Sequence, residues 1–229
     1  MNIRILDLLE GAKEAIGLTV IIDVFRAFSL ACYAFDKGVE KIIPVGDIEQ
    51  AYALKENHPE YILVGERMEK KPEGFDYGNS PMHLLEADLR GKTIVHTTSS
   101  GTQGLANAEQ ASEVITGSFV NAGAIVRYIQ KKNPESVSLV GMGYATLYQV
   151  EEDEGCAHYI ANELKGIRTD FDKMLKNIRE TSGARFFLEE KQHYAPREDF
   201  DLCMNLNRFD FVLKKTVKNG QMELGKITI

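Results

Sequence analysis

Apolar runs of strand length alternate with helix-length amphipathic stretches through most of the chain, and no other feature constrains the fold as strongly. The strand-like runs fall at 18–22, 41–44, 61–64, 93–96, 113–116 and 136–140. Helical patterns lie between them, around 27–35, 48–56, 82–87, 102–108 and 119–130. Such a succession predicts an α/β fold, with a largely parallel sheet and helices on both faces. Helix starts are marked chemically. Asp47 with Gln50 predicts a capping box, and Ser80 stands before Pro81 at a first helical position. The C-terminal quarter departs from this rhythm. A charged helix is expected over 169–180. Then 209–218 and 221–229 flank Asn219-Gly220, a strong two-residue hairpin signal. A β-hairpin there adds antiparallel strands and makes the sheet mixed.

Two loops share one design. Asp23-Val24-Phe25-Arg26-Ala27-Phe28-Ser29 follows the apolar run at 18–22, and Thr97-Thr98-Ser99-Ser100-Gly101-Thr102 follows the run at 93–96. In an open α/β sheet the crevice at such strand ends is where ligands bind. The first loop offers a carboxylate and a guanidinium, the second hydroxyls and a glycine that lets backbone N–H groups approach an anion. A faint internal echo accompanies them. Thr19-Val20 matches Thr93-Ile94, and Gly46-Asp47 matches Gly117-Ser118, giving pseudo-repeat halves at about 17–60 and 91–131. Duplication and the generic rhythm of α/β folds both explain it. No Pro/Gly/Ser-rich linker interrupts the chain, so residues 1–229 are read as a single domain.

Composition narrows the function. With 34 Asp and Glu against 27 Lys and Arg, and no long basic stretch, nucleic acid is not an expected partner. No apolar run is long enough to span a bilayer and no basic-then-apolar leader is visible, so a cytoplasmic location is expected. Cys32, Cys156 and Cys203 are too widely spaced for a zinc site or a disulfide framework and are read as small buried hydrophobes. Gly91-Lys92-Thr93 lacks the earlier glycine of a Walker loop, and Gly141-Met142-Gly143 lacks the third glycine of a dinucleotide fingerprint. The five histidines have no metal-ligand spacing; His96, at a strand end, is the one of interest.

The residues left standing are mostly oxygen donors. Asp23 is costly to bury at a strand end unless it binds a metal, pairs with Arg26 or caps a helix. Glu66 and Arg67 end the run at 61–64 in the same way. Asp76, Asn79 and Ser80 lie in a compact Gly74–Pro81 loop and suit a hard cation or a structural turn. Ser118 and Asn121 open another helix, where an anion or a simple cap would fit. Asp153 is the candidate functional member of the acidic run Glu151–Glu154, which otherwise reads as a solvated helix start.

Taken in order, Asp23-Val24-Phe25-Arg26-Ala27, Gly65-Glu66-Arg67, Gly74-Phe75-Asp76-Tyr77-Gly78-Asn79-Ser80-Pro81, Thr97–Thr102, Gly117-Ser118-Phe119-Val120-Asn121 and Glu152-Asp153-Glu154-Gly155-Cys156-Ala157 resemble the 2-phosphosulfolactate phosphatase family. Asp201-Leu202-Cys203 and Arg208–Val212 extend the likeness to the last hairpin. The resemblance implies a three-layer α/β/α sandwich with a mixed sheet. It implies a Mg²⁺-dependent phosphatase acting on phosphate esters of small 2-hydroxy acids. The namesake reaction converts 2-phosphosulfolactate and water to sulfolactate and phosphate, on a route to coenzyme M. The chain departs from the family pattern at Phe28 and Ser29, where threonines are usual, at Ser100 for asparagine, at Gln103 for arginine and at His158 for glycine. Gln103 in an anion-facing loop would remove positive charge from the pocket and weaken its hold on a sulfonate.

On this reading Asp23, Glu66, Asp76 and Asp153 are the candidate metal ligands. Asp23, Arg26, Glu66 and Asp153 are the candidate catalytic groups. Arg67, Asn79, Thr98, Ser100, Gly101, Thr102, Ser118 and Asn121 are the candidate phosphate and substrate contacts. The nucleophile is a water molecule or Asp23 itself. A phosphorylated 2-hydroxy acid is the expected partner, and a homodimer is an open expectation. Two rival readings remain: a non-catalytic protein that binds phosphorylated metabolites, and a phosphoryl transferase with a second acceptor pocket.

Overall fold

The computed structural model describes residues Met1–Ile229. The strands are β1 (Asn2–Asp7), β2 (Gly17–Ile22), β3 (Lys41–Pro44), β4 (Ile62–Gly65), β5 (Thr93–Thr97), β6 (Ala111–Gly117), β7 (Ser136–Gly141), β8 (Phe211–Lys218) and β9 (Gln221–Thr228). The helices are α1 (Leu8–Glu14), α2 (Ala27–Asp36), α3 (Ile48–Asn57), α4 (Pro81–Leu84), α5 (Gly101–Asn107), α6 (Ala122–Lys132), α7 (Glu151–Leu164), α8 (Phe171–Glu180) and α9 (Arg197–Cys203). All strands join one mixed sheet in the order β1-β7-β2-β6-β8-β9-β3-β5-β4.

The sheet consists of two parallel blocks and a hairpin between them. β1, β7, β2 and β6 run parallel, and so do β3, β5 and β4. The β8–β9 hairpin is antiparallel to both, and it meets each block at one residue pair, Ile115 with Lys214 and Ile42 with Leu224. Each seam also carries an ion pair, Lys214 with Glu113 at 2.9 Å and Lys41 with Glu223 at 2.8 Å. Directions alternate across the hairpin, so the second block runs opposite to the first. A flat sheet would then put the C-terminal ends of the two blocks at opposite edges. Contacts between those ends are observed instead, so the sheet turns sharply at the thinly paired seams.

Helices cover both faces. Along β2, Leu18, Val20 and Ile22 pack with α6, α7 and the Phe186–Phe200 region, whereas Ile21 packs with α1, α2 and α5 on the other face. That alternation fixes the two outer layers. Asp47 caps α3 through the N–H of Glu49, one position short of the expected box. Ser80 caps α4 through the N–H of His83, with Pro81 at the first helical turn as the sequence predicts. Asn219 and Gly220 both adopt the positive φ of a tight hairpin turn. The element order strand, loop, helix, strand, helix recurs at β2–α3 and β5–α6, which leaves both explanations of the repeat standing. β1 and α1 are additions that the sequence pattern did not announce. No helix is long and apolar enough to cross a membrane.

Candidate active site

The C-terminal ends of β2, β4, β5 and β7 converge on one cleft, closed on its far side by the segment 182–194. Asp23, Arg26, Glu66, Asn79, Ser99, Ser100, Glu152 and Asp153 line it together with Glu69, Tyr144 and Arg185. Six of the residues singled out in the sequence thus share a wall: Asp23, Arg26, Glu66, Asn79, Ser100 and Asp153.

The carboxylates are clamped by backbone. Asp23 Oδ1 accepts from the N–H of Ala27 at 3.1 Å and Oδ2 from that of Gly101 at 2.8 Å. Asp153, in the first turn of α7, accepts from the N–H groups of Val24 at 2.8 Å and Gly143 at 2.9 Å. Glu66 accepts from the N–H of Ser99 at 2.6 Å and that of Glu69 at 2.8 Å. These bonds tie four strand ends to one another. They also explain Gly101. A Cβ there would lie 2.8 Å from Asp23 Oδ2 and 3.0 Å from the Phe28 ring, so only glycine lets α5 approach the carboxylate.

Burial of several acids together has a cost. Asp23 is pushed up to about 7, first by loss of hydration and then by the charges of Glu66 and Glu152. Asp153 is driven well above the carboxylate range by burial and then by Asp23 and Glu152. Glu152 is raised by burial, offset in part by Arg185, and its Oε2 has no hydrogen-bond partner. The acidic run at the start of α7, expected as a solvated helix start, therefore turns Glu152 and Asp153 inward, at 2% and 3% exposure.

Such a set could hold a cation. Its donors are all oxygens, which suits Mg²⁺ rather than zinc. No three acidic, imidazole or thiol groups form a ready-made metal shell. Mg²⁺ does not need one, because it is commonly held by one or two carboxylates, with water and substrate phosphate completing the shell. Asp23 and Asp153 fit that requirement.

Arg26 does not pair with Asp23. Its Nη1 donates to Asp199 Oδ2 at 2.8 Å and to the Tyr194 carbonyl at 2.6 Å. Asp199 is fully buried and also accepts from the Ser80 hydroxyl and the Met82 N–H. Arg26 Nη2 has only a 3.5 Å contact, to the Glu69 carbonyl. His96, buried and lowered to about 4 by loss of hydration and by the Arg67 charge, is neutral. Its Nε2 lies 3.1 Å from Asn79 Oδ1 and fixes that amide at the cleft.

Other expected contacts lie elsewhere. Asp76 is exposed and caps the Leu63 N–H at 2.8 Å, with Lys55 at 3.3 Å, outside the cleft; it is a turn cap, not a metal ligand placed with the others. Arg67 points to Thr97 Oγ1 and the Gly46 carbonyl, away from the cleft. Thr98 and Thr102 hold each other's N–H groups, and the Gly101 N–H is taken by Asp23. From Thr98 to Thr102, then, only the Ser100 N–H is left for an anion. Ser118 and Asn121 form a capping box behind the strand ends, with Ser118 Oγ 2.6 Å from Ser29 Oγ.

A family model described as 2-phosphosulpholactate phosphatase matches residues 4–218. The chain belongs to the 2-phosphosulfolactate phosphatase family. Membership makes it a phosphoric monoester hydrolase. A protein of Caldanaerobacter subterraneus named "Probable 2-phosphosulfolactate phosphatase" is 34% identical over 216 residues, 88% of each chain. A Clostridium perfringens protein of the same name is 33% identical, over 90% of this chain and 88% of its own. One from Bacillus subtilis is 29% identical over 86% of both.

The departures from the 2-phosphosulfolactate phosphatase pattern are mostly off the cleft wall. Gln103 donates to the Gly46 carbonyl at 2.7 Å, beside Arg67, so its replacement of arginine does not discharge the pocket as the sequence suggested. Phe28 is buried in the core, and Ser29 bonds the Val24 carbonyl. Only Ser100 reaches the cleft, where its hydroxyl donates to the Gly143 carbonyl at 2.8 Å. The cation the sequence missed is Arg185. It stands 160 residues after Phe25, whose carbonyl it contacts, in a segment without periodic pattern. Nothing local marks it out.

Proposed function

We propose that the cleft hydrolyses the phosphate ester of a small 2-hydroxy acid, 2-phosphosulfolactate or a close analogue, with Mg²⁺ as cofactor. The observation that carries this reading is the set of four buried acids, Asp23, Glu66, Glu152 and Asp153, lining one cleft together with two arginines, Arg26 and Arg185. Water attacks phosphorus, the P–O bond to the hydroxy acid breaks, and phosphate and the free hydroxy acid leave.

Asp23 and Asp153 would hold Mg²⁺, which when bound supplies charge stabilisation for the phosphoryl oxygens. Arg26 Nη2 and the Ser100 N–H would donate to those oxygens. Asp199 holds the Arg26 guanidinium in one plane, so little reorganisation accompanies phosphate binding. Glu152, raised by burial and with its Oε2 unpartnered, would protonate the departing oxygen. Asn79, oriented by neutral His96, contributes a further polar contact.

The test is phosphate release from 2-phosphosulfolactate and 2-phospholactate by metal-free protein, before and after addition of Mg²⁺. Release that depends on Mg²⁺ supports the reading. Tight binding without release would favour a metabolite-binding protein, and full release in excess EDTA would remove Mg²⁺ from the account.

A further inference from the structure

Two guanidinium groups line the cleft, and their surroundings differ. Arg26 is 4% exposed and neutralised by Asp199. Arg185 is 17% exposed and has no hydrogen bond or ion pair shorter than 3.4 Å. Its Nε lies 3.4 Å from Glu69 Oε1, and its Nη2 lies 3.6 Å from Glu152 Oε1 and 3.4 Å from the Phe25 carbonyl. Neither acid holds it closely. Glu69 has Lys191 at 2.7 Å, and the nearest Glu152 oxygen is 3.6 Å away. Aromatic rings surround Arg185 instead. Its guanidinium carbon lies 5.7, 5.6 and 5.4 Å from the ring centroids of Phe25, Tyr144 and Phe186. Rings at those distances hold the plane of a guanidinium without occupying its N–H edges. The result is a pre-oriented, under-coordinated cation at the rim of an acidic cleft.

We infer that Arg185 is the specificity residue for a second, non-reacting anion of the substrate, a carboxylate or sulfonate close to the phosphorylated carbon. This rests on the phosphatase reading of the cleft. The phosphoryl group belongs at the floor, beside Asp23, Arg26 and the Ser100 N–H. Arg185 faces that floor from the 182–194 segment. A planar carboxylate, or two oxygens of a sulfonate, matches its two-pronged N–H edge. Binding would move Arg185 out of its long contacts with Glu69 and Glu152 and onto the ligand.

The experiment compares 2-phospholactate with isopropyl phosphate, which keeps the branched skeleton and lacks the carboxylate. Wild-type protein, Arg185→Gln and Arg185→Lys are assayed with Mg²⁺, after thermal unfolding confirms that each variant is folded. Wild type is expected to favour 2-phospholactate by about tenfold or more in kcat/KM. In Arg185→Gln the loss on 2-phospholactate should exceed the loss on isopropyl phosphate by about tenfold or more, chiefly through KM. Arg185→Lys should recover part of the difference. Equal losses on both esters, or no wild-type preference, would overturn the assignment. If wild type hydrolyses neither ester nor 2-phosphosulfolactate, the phosphatase reading fails first and the assignment falls with it.

Discussion

The two walls of the cleft are held in opposite ways. On one side Asp23 and Asp153 each place both carboxylate oxygens on backbone N–H groups from two separate parts of the chain. On the other side Arg185 has only contacts of 3.4 Å or more to oxygen and is steadied by aromatic rings. The first wall is rigid and charged against its own interest, since burial and mutual repulsion raise its acids. The second carries a cation with no short oxygen contact. A rigid acidic wall suits a bound metal and a reacting phosphoryl group, whose positions must be fixed. A loosely coordinated rim cation suits recognition of the rest of the substrate.

Asp23→Asn should break this contrast most severely. It keeps the side-chain size and removes the charge that a metal needs, so kcat should fall by roughly a thousandfold. Loss of less than about tenfold would place the metal, and the chemistry, elsewhere.

Arg26→Met comes next. It leaves Asp199 buried without its cation, which should lower stability by about 3–5 kcal/mol. Arg26 is thus expected to matter to folding as well as to phosphate. A melting temperature unchanged from wild type would restore the simpler view, in which Arg26 serves the substrate alone.

A pH series sharpens the claim about the rigid wall. Asp23 titrates at about 7 in the folded protein, above its ordinary value of 3.8. Between those values the native state keeps a proton that the unfolded chain has lost. The contribution of Asp23 to stability is therefore greatest in acid and declines as pH rises through that interval. Metal-free wild type should lose melting temperature relative to Asp23→Asn from about pH 4.5 to about pH 8, and a constant difference would contradict the assigned strain.

Gln103→Arg should do least. The side chain lies beside Arg67 at the Gly46 carbonyl, off the cleft. kcat/KM for 2-phosphosulfolactate should change by less than about twofold. A large gain would mean that position 103 reaches the substrate after all.

What could be read in advance follows the same division. The rigid wall grows from strand ends, and strand ends are visible as apolar runs that stop at a charged residue; Asp23 and Glu66 were found that way. Asp153 stood out less clearly, as one candidate in an acidic run that is equally at home in solvent. The parallel blocks were legible in the strand–helix rhythm, and the hairpin in Asn219-Gly220. The hairpin's place at the centre of the sheet was not, since non-local pairing leaves no periodic trace. Arg185, Asp199 and Glu69 were silent for a related reason. Their neighbours come from distant segments, and Asp199, in the first turn of α9, looks like any acid that favours a helix start. Asp76, Ser118 and Asn121 failed in the other direction. Turn caps and phosphate contacts use the same residue types, and here capping won.

The central claim is that the buried acids of the rigid wall ionise together only when a divalent cation joins them. Calorimetric titration of metal-free protein with Mg²⁺ near pH 6.5, repeated in buffers of different ionisation enthalpy, measures binding and proton release in one experiment. The account expects Mg²⁺ to bind wild type with net release of protons, and Asp23→Asn to bind far more weakly and release fewer. Absence of Mg²⁺ binding to wild type, or binding with no proton release, would contradict it.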